Sequence, residues 1–439
     1  MPMNEKYLNN FAEMIRAETV SLDIQPDKSK FYEFHKLLKK LFPALFAVVE
    51  IEDFDGTLLL KWKGKNPSAM PVMLMNHMDV VEAQGKWTHE PFSGDIADGK
   101  LWGRGTLDTK GGLWGMLQAA DDLAKEGFIP ETDIYFESAC TEEVGGEGAM
   151  KVSEVLYERG IRFSMILDEG GMIVSEPIGG AKGNFAMVGM GEKGCAELKF
   201  IARSGGGHAS TPEKDTPLVR LGKFMQEADS QSMFKAELSP VIQEMFKRLA
   251  PHIDGPLGTI LGNSNLFKPL ITAVMPKVSA TAGALLRTTI AFTMANGSEA
   301  RNVIPAEAWV VGNMRVSHHQ GYESSLAAIK KLAAKYDIET EVLTPSIDSP
   351  LADFNSDAFK QIESAVANAY PQVITVPYVM TGASDGRFMG KLTDNCFRFV
   401  PFIINEQQLE SVHGIDENVD ISTLEPAVEF YKHLIKGVK

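Results

Sequence analysis

The chain has 439 residues, enough for two domains of ordinary size, and its 44% hydrophobic and 23% charged residues form a globular composition that excludes extended disorder. Its 43 basic and 58 acidic residues leave a formal charge of −15 with no dense Lys/Arg cluster to neutralise a run of phosphates, so neither nucleic acid nor an anionic membrane is expected as a partner. Cys140, Cys195 and Cys396, odd in number and far apart, fit neither a disulfide framework nor a CxxC motif, which points to a reducing compartment.

The N-terminal stretch "MPMNEKYLNNFAEMIRAETV" carries charges throughout and lacks the apolar centre of a secretory signal. It reads as an amphipathic helix of a cytoplasmic protein. Strands and helices then alternate: "VMLMNHMDVV" (72–81), a helix from about Gly112 to Lys125, "DIYFESACTEE" (133–143), a helix near 149–158 and "FSMILDEGG" (163–171). Such alternation predicts an α/β domain with a largely parallel sheet. Leu113, Leu117, Ala120 and Ala124 repeat at helical spacing, so one face of the first helix is expected on that sheet.

After "GMGEKG" (189–194) the pattern changes. Strand "AELKFIARS", helix "TPLVRLGKFMQEA", strand "AWVVGNMRVS", helix "ESSLAAIKKLAAKY" and strand "ETEVLTP" predict a smaller α+β domain over 192–345. The less regular 230–300 segment is read as an elaboration of it. From 346 the α/β character returns, with a helix over 356–369, strand "CFRFVPFII" (396–404) and a last helix opened by Ser422 and Glu425 as a capping box. The large domain is therefore expected from residues 1–191 and 346–439 together, with the smaller one inserted.

Carboxylates and histidines fall at the ends of these strands, where sites in open α/β sheets gather. In "NHMDVV", His77 and Asp79 are two residues apart and share one side of a strand, one positioned to bind metal and the other to hold the imidazole from behind. Alone, such a pair is as often a buried His bonded to an Asp. Asp108 stands in "GRGTLDTKGG", where a lone Asp is commonly a helix cap but where two oxygens could also bridge two ions. The absence of GxxxxGK[ST] argues against a nucleotide. In "TEEVGGEG", Glu143 is assigned as a ligand and Glu142 as the general base, because adjacent side chains diverge. "LDEGG" adds Asp168, preferred as a ligand, with Glu169 left open, and His413 in "SVHGIDENV" offers a further nitrogen. Histidine and carboxylate donors suit Zn²⁺, so the set reads as a two-metal hydrolytic site.

These motifs in this order, with "HEPFSGDIADGKLWGRGTLDTKGG", "GGHAS", "ARNVIPA" and "VHGIDE", resemble the M20 family of metallopeptidases and amidohydrolases, which includes aminoacylase, carboxypeptidase G, succinyl-diaminopimelate desuccinylase and dipeptidases. The stretch "LLRTTIAFTMANGSEARNVIPA" (285–306) looks most like the carboxypeptidase S branch and its N-acyl amino acid hydrolase relatives. The resemblance implies a zinc-exopeptidase-like mixed sheet with helices on both faces, and an inserted lid domain that in many members also forms a homodimer. It implies two divalent ions, Zn²⁺ first, with Co²⁺ or Mn²⁺ able to substitute. His77 and Asp168 would hold one, Glu143 and His413 the other, with Asp108 bridging and with Asp79 and Glu142 as the catalytic pair. It also implies that His208 in "GGGHAS" steadies the oxyanion, in dimeric relatives from a neighbouring subunit. Family substrates carry a free carboxylate beside the scissile amide. Arg315 in "NMRVS" and Asn302 in "RNVIP" are the candidate clamp for it, and the loop "TGASDG", with Gly382 and Ser384, is expected to close the same pocket. The expected substrate is a small peptide or an N-acyl amino acid.

Overall fold

A computed structural model describes residues 5–22 and 27–438. Its ten-stranded mixed sheet runs in the order 49–54, 57–62, 134–138, 72–75, 165–168, 396–398, 184–192, 173–175, 403–404, with 374–380 paired beside 184–192. The centre is parallel: Val72–Met75 lies between Ile134–Ser138 and Met165–Asp168, and Cys396–Arg398 continues the parallel run from the C-terminal part of the chain. These strands are buried on both faces, as parallel strands covered by helices must be. Leu74, Phe136 and Leu167 face one layer of helices, while Met73, Met75, Tyr135 and Ile166 face the other, where Ala149, Val152 and Leu156 of helix Glu147–Glu158 pack.

Helix Lys110–Lys125 buries more than the expected stripe. Every residue from Lys110 to Asp121 is buried, because helices Glu5–Arg16 and Leu424–Gly437 close over its outer side and Trp114 stacks on Phe11 at 5.1 Å. Residues 1–4, part of the predicted N-terminal helix, lie outside the described residues.

A second, four-stranded antiparallel sheet has the order 289–296, 307–316, 194–203, 339–344. Ala196, Leu198, Phe200 and Ala202 alternate inward against Leu221, Phe224 and Ile329 of helices Pro217–Asp229 and Tyr322–Lys335. Only Lys193 separates its strand 194–203 from strand 184–192 of the large sheet. The 230–300 segment departs from the expectation that it elaborates the smaller unit. Its end supplies strand Thr289–Asn296, but helices Pro240–Leu249, Pro256–Gly262 and Lys268–Val278 send Val241, Ile242, Phe246, Leu249, Leu261 and Ile271 into the core of the large sheet. Arg248 fastens them, donating to the Thr375 carbonyl at 2.9 Å.

The capping box predicted at Ser422 does not form. Ser422 falls inside a 3-10 turn, helix Leu424–Gly437 begins after Thr423 without a side-chain cap, and the Thr423 hydroxyl accepts the Ile403 N–H instead. The capping box that does form joins Asn405 and Gln408, at the helix just before His413.

Candidate metal centre

Each expected metal-site residue follows a strand end or sits in a loop on the same side of the large sheet. Strand Val72–Met75 stops two residues before His77, Glu142 and Glu143 lie on the 3-10 turn after strand Ile134–Ser138, and Asp168 ends its own strand. Asp108 precedes helix Lys110–Lys125, and His413 lies between helix Glu406–Ser411 and strand Asn418–Asp420 with φ at 60°.

Asp108 is the centre of the arrangement. Its Oδ1 lies 3.0 Å from His77 Nε2 and its Oδ2 lies 2.9 Å from His413 Nε2, so one carboxylate meets a different imidazole through each oxygen. His413 Nε2 also lies 3.1 Å from Glu143 Oε2, and donor atoms of His77, Asp108 and Glu143 all fall within 4.8 Å of one another.

Asp79 organises this from beneath. Fully buried, it accepts the backbone N–H of Glu142 on Oδ1 and that of Glu143 on Oδ2, both at 3.2 Å, and the Ser21 hydroxyl at 2.7 Å. Its own carbonyl takes His77 Nδ1–H at 2.9 Å. That bond keeps a proton on Nδ1 and turns Nε2 toward Asp108, so Nε2 is the nitrogen that would be free for a metal once it gives up its own proton.

The local electrostatics call for external cations. Burial disfavours the charged His77 imidazole, but bonds to Asp108 and Asp79 overcome this and raise its pKa well above the ordinary value. Burial would likewise raise Asp108, yet the bonds from His413 and His77 hold it well below the usual carboxylate range. Burial, with the Glu143 and Asp108 charges, pushes Glu142 up to about 8, against His77 and the Arg387 guanidinium 3.6 Å away. Glu169 is also raised, first by burial and then by the Asp108, Asp168 and Glu142 charges. Glu143 Oε1 is buried with no hydrogen-bond partner. Two ligands of one tetrahedral Zn²⁺, each bonded at about 2.1 Å, stand about 3.4 Å apart, a few tenths of an ångström beyond the spacings around Asp108. The residues fit metal.

The remaining expected residues are placed less uniformly. Asp168 Oδ2 accepts the Gly386 N–H at 2.6 Å, and Glu169 is buried where the Asp108 charge raises its pKa after burial itself. His208 and Asn302 are neighbours on a small ribbon in which Gly207 and His208 pair with Ile304 and Val303. Both are exposed in the single chain, with His208 Nδ1 2.7 Å from Ser210 Oγ. Arg315 is half-buried and donates through Nε to Asn313 at 2.9 Å. In the "TGASDG" loop Gly382 is exposed, but Ser384 does not face a pocket. It is fully buried, and its hydroxyl donates to Glu192 at 2.7 Å because that carboxylate, which also receives Arg398 Nε at 3.1 Å, needs several donors once desolvated.

Several residues of the site escaped the sequence reading. Arg387 immediately follows the quoted loop, and Glu417 ends the quoted "VHGIDE". Glu192 and Lys193 stand in "GMGEKG", which was read only as a boundary. Lys193 donates to the Ala284 and Arg287 carbonyls, and burial, with the Arg315 and Arg287 charges, lowers its pKa to about 7. Beside Glu143 and His413 a cavity of about 530 Å³ opens, bordered by Ser21, Leu22, Val144 and Ile415.

Residues 73–437 match the model of Peptidase family M20/M25/M40. The chain belongs to this family. It is 32% identical over 420 residues to "Probable carboxypeptidase S-like 2" of Dictyostelium discoideum, covering 93% of this chain and 80% of that protein. To the human "N-fatty-acyl-amino acid synthase/hydrolase PM20D1" it is 31% identical over 412 residues, covering 92% and 82%. Among solved structures, the M20 family metallo-carboxypeptidase Sso-CP2 from Sulfolobus solfataricus superposes with a TM-score of 0.72 at 18% identity, over 99% of both chains. The YXEP protein of Bacillus subtilis, described as a dinuclear metal binding peptidase, does so at 0.60 and 14% identity, over 98% of both. The M20 chain is thus a metal-dependent peptidase or amidohydrolase with the family's mixed α/β fold. Among the described residues no helix is long and apolar enough to cross a membrane.

Proposed function

We propose that this M20 protein hydrolyses the amide bond of a small substrate with a free carboxylate, an N-acyl amino acid or a short peptide cut at its C-terminal residue. The observation that carries the reading is the Asp108 carboxylate with His77 on one oxygen and His413 on the other. One carboxylate between two imidazoles is the donor set for a pair of ions sharing a bridge. His77, Asp108, Glu143 and His413, with Asp168 or Glu169, would hold two divalent cations. Zn²⁺ suits these nitrogen and oxygen donors best, and Co²⁺ or Mn²⁺ would also fit. The ions would supply Lewis acidity and a water acidified to a pKa of about 7.

Glu142 is the proton carrier. It takes the proton of the attacking water on a carboxylate oxygen and gives it to the leaving nitrogen, so one group serves as base and then as acid. Its position on the same 3-10 turn as Glu143, with both backbone N–H groups held by Asp79, sets the carrier beside the ions. Arg315, on the strand that flanks Lys193 and Arg287, would bind the substrate carboxylate. Asn302 would join Arg315 in that clamp, and His208 would meet the developing oxyanion, from a partner copy if the smaller unit (192–345) acts as lid and homodimer contact.

A dipeptidase is the second reading, favoured by nothing beyond the shared chemistry. A non-catalytic, metal-stabilised binding protein is disfavoured by Glu142, since ligands alone suffice for structure. A panel of N-acyl amino acids and dipeptides offered to zinc-loaded and cobalt-loaded protein tests the proposal. Turnover of neither class would refute it.

A further inference from the structure

Between Asp254 and Glu299 the chain has no acidic residue, although 58 acidic residues in 439 would put about six in a stretch of that length. The same stretch carries Lys268, Lys277 and Arg287. This basic segment of an acidic protein contains helix Lys268–Val278, whose only buried residue is Ile271. Leu266, Leu270, Val274 and Val278 follow at intervals of four and so line one side of that helix and its entry. They are 77%, 48%, 42% and 73% exposed, and Leu257 on the preceding helix adds a fifth exposed apolar group. The stripe is about 18 Å long at the helical rise. Among the described residues neither Lys268 nor Lys277, near its two ends, forms an ion pair with a carboxylate.

We propose that this face is a peripheral docking surface for an anionic lipid bilayer. The apolar stripe would enter the acyl boundary while Lys268 and Lys277, long and flexible, keep their ammonium groups among anionic headgroups. Charge selects this occupant over a second copy of the chain. A two-fold pairing through the same face would bring the lysines of both copies together, and Glu244, the acid that lines the hollow beside Leu266, is already paired with Lys247 and Arg248. The −15 carried elsewhere does not oppose docking at physiological salt, where charges act over about 8 Å. The earlier expectation that anionic membranes are excluded sums charge over the whole chain and misses its segregation.

The test is sedimentation of the full-length, metal-loaded protein with vesicles of phosphatidylcholine alone or of equal parts phosphatidylcholine and phosphatidylglycerol. Binding is expected to the anionic vesicles and to fall with added salt. Lys268→Gln with Lys277→Gln should weaken it roughly thirtyfold, about fivefold for each lysine near the surface. Leu270→Ser with Val274→Ser should abolish it while the protein stays folded, because about half of each side chain is already exposed. No sedimentation of the unaltered protein with anionic vesicles would overturn the proposal. So would undiminished binding by both variants, or a dimer in light scattering that the Leu270→Ser, Val274→Ser variant converts to monomer.

Discussion

Glu417 accepts the backbone N–H of Asp108 at 3.1 Å. The same carboxylate takes the N–H groups of Leu107 at 2.8 Å and Gly105 at 3.0 Å, and pairs with Arg104 at 2.6 Å. Fully buried, it is the post on which the Asp108 loop hangs, four residues beyond His413. One short segment therefore both supplies a histidine to the Asp108 carboxylate and holds the Asp108 backbone in place.

Glu142→Gln removes the proton carrier but leaves its neighbours and its volume. Turnover should fall by about 10²–10⁴-fold, the usual worth of a general base, while elemental analysis still finds the metal content of the unaltered protein. Loss of metal would reassign Glu142 as a ligand.

His413→Ala takes away a half-exposed imidazole together with its bonds to Asp108 and Glu143, so the metal-free variant should melt below the unaltered protein at neutral pH. Metal content and activity should fall together. Full activity with full metal content would remove His413 from the centre.

The affinity for metal should rise with pH. Hydrogen bonds to Asp108 and Glu143 raise His413 from 6.5 to about 10 in the metal-free protein, so at neutral pH an incoming cation must displace a proton. Titration calorimetry in buffers of different ionisation enthalpy should count that release. These bonds stabilise the metal-free fold fully below pH 6.5 and are lost as pH climbs through about 10. The melting-temperature gap between loaded and chelator-treated protein should therefore widen over that interval.

Arg398→Met strands the Glu192 carboxylate in the core with Ser384 as its remaining side-chain donor. Removing one partner of a buried pair costs about 3–5 kcal/mol, so thermal unfolding should shift down markedly, whereas a mild effect would mean that water reaches Glu192.

Arg315→Ala should raise KM for substrates with a free carboxylate by roughly tenfold or more, the value of one charge-assisted hydrogen bond, and leave their amidated analogues almost unaffected. Equal losses on both substrate types would count against a clamp.

The parallel centre of the sheet, and the approach of His77, Asp108, Glu143 and His413 to one another, were legible because their signals are local. Apolar runs mark strands buried on both faces, and a carboxylate or histidine just past such a run has few structural uses. Less legible were features set by distant partners. Nothing near Ser384 tells that its hydroxyl meets Glu192, 192 residues away. The helices over 240–286 alternate apolar and polar residues in a way that suits any core, and their attachment to the large sheet depends on contacts such as Arg248 with Thr375. The Ser422 capping box failed because Thr423 was drawn to the Ile403 backbone. For Asp168 and Glu169, adjacent in sequence, only the direction of each side chain separates their roles.

The span between Asp108 and Glu417 also bears on biosynthesis. A ribosome finishes the Asp108 loop and the strands around it long before it reaches His413, and until then the loop has neither its post nor the second imidazole. Until residues 413–417 are made, a nascent chain therefore lacks both the imidazole and the carboxylate that meet Asp108 in the folded protein.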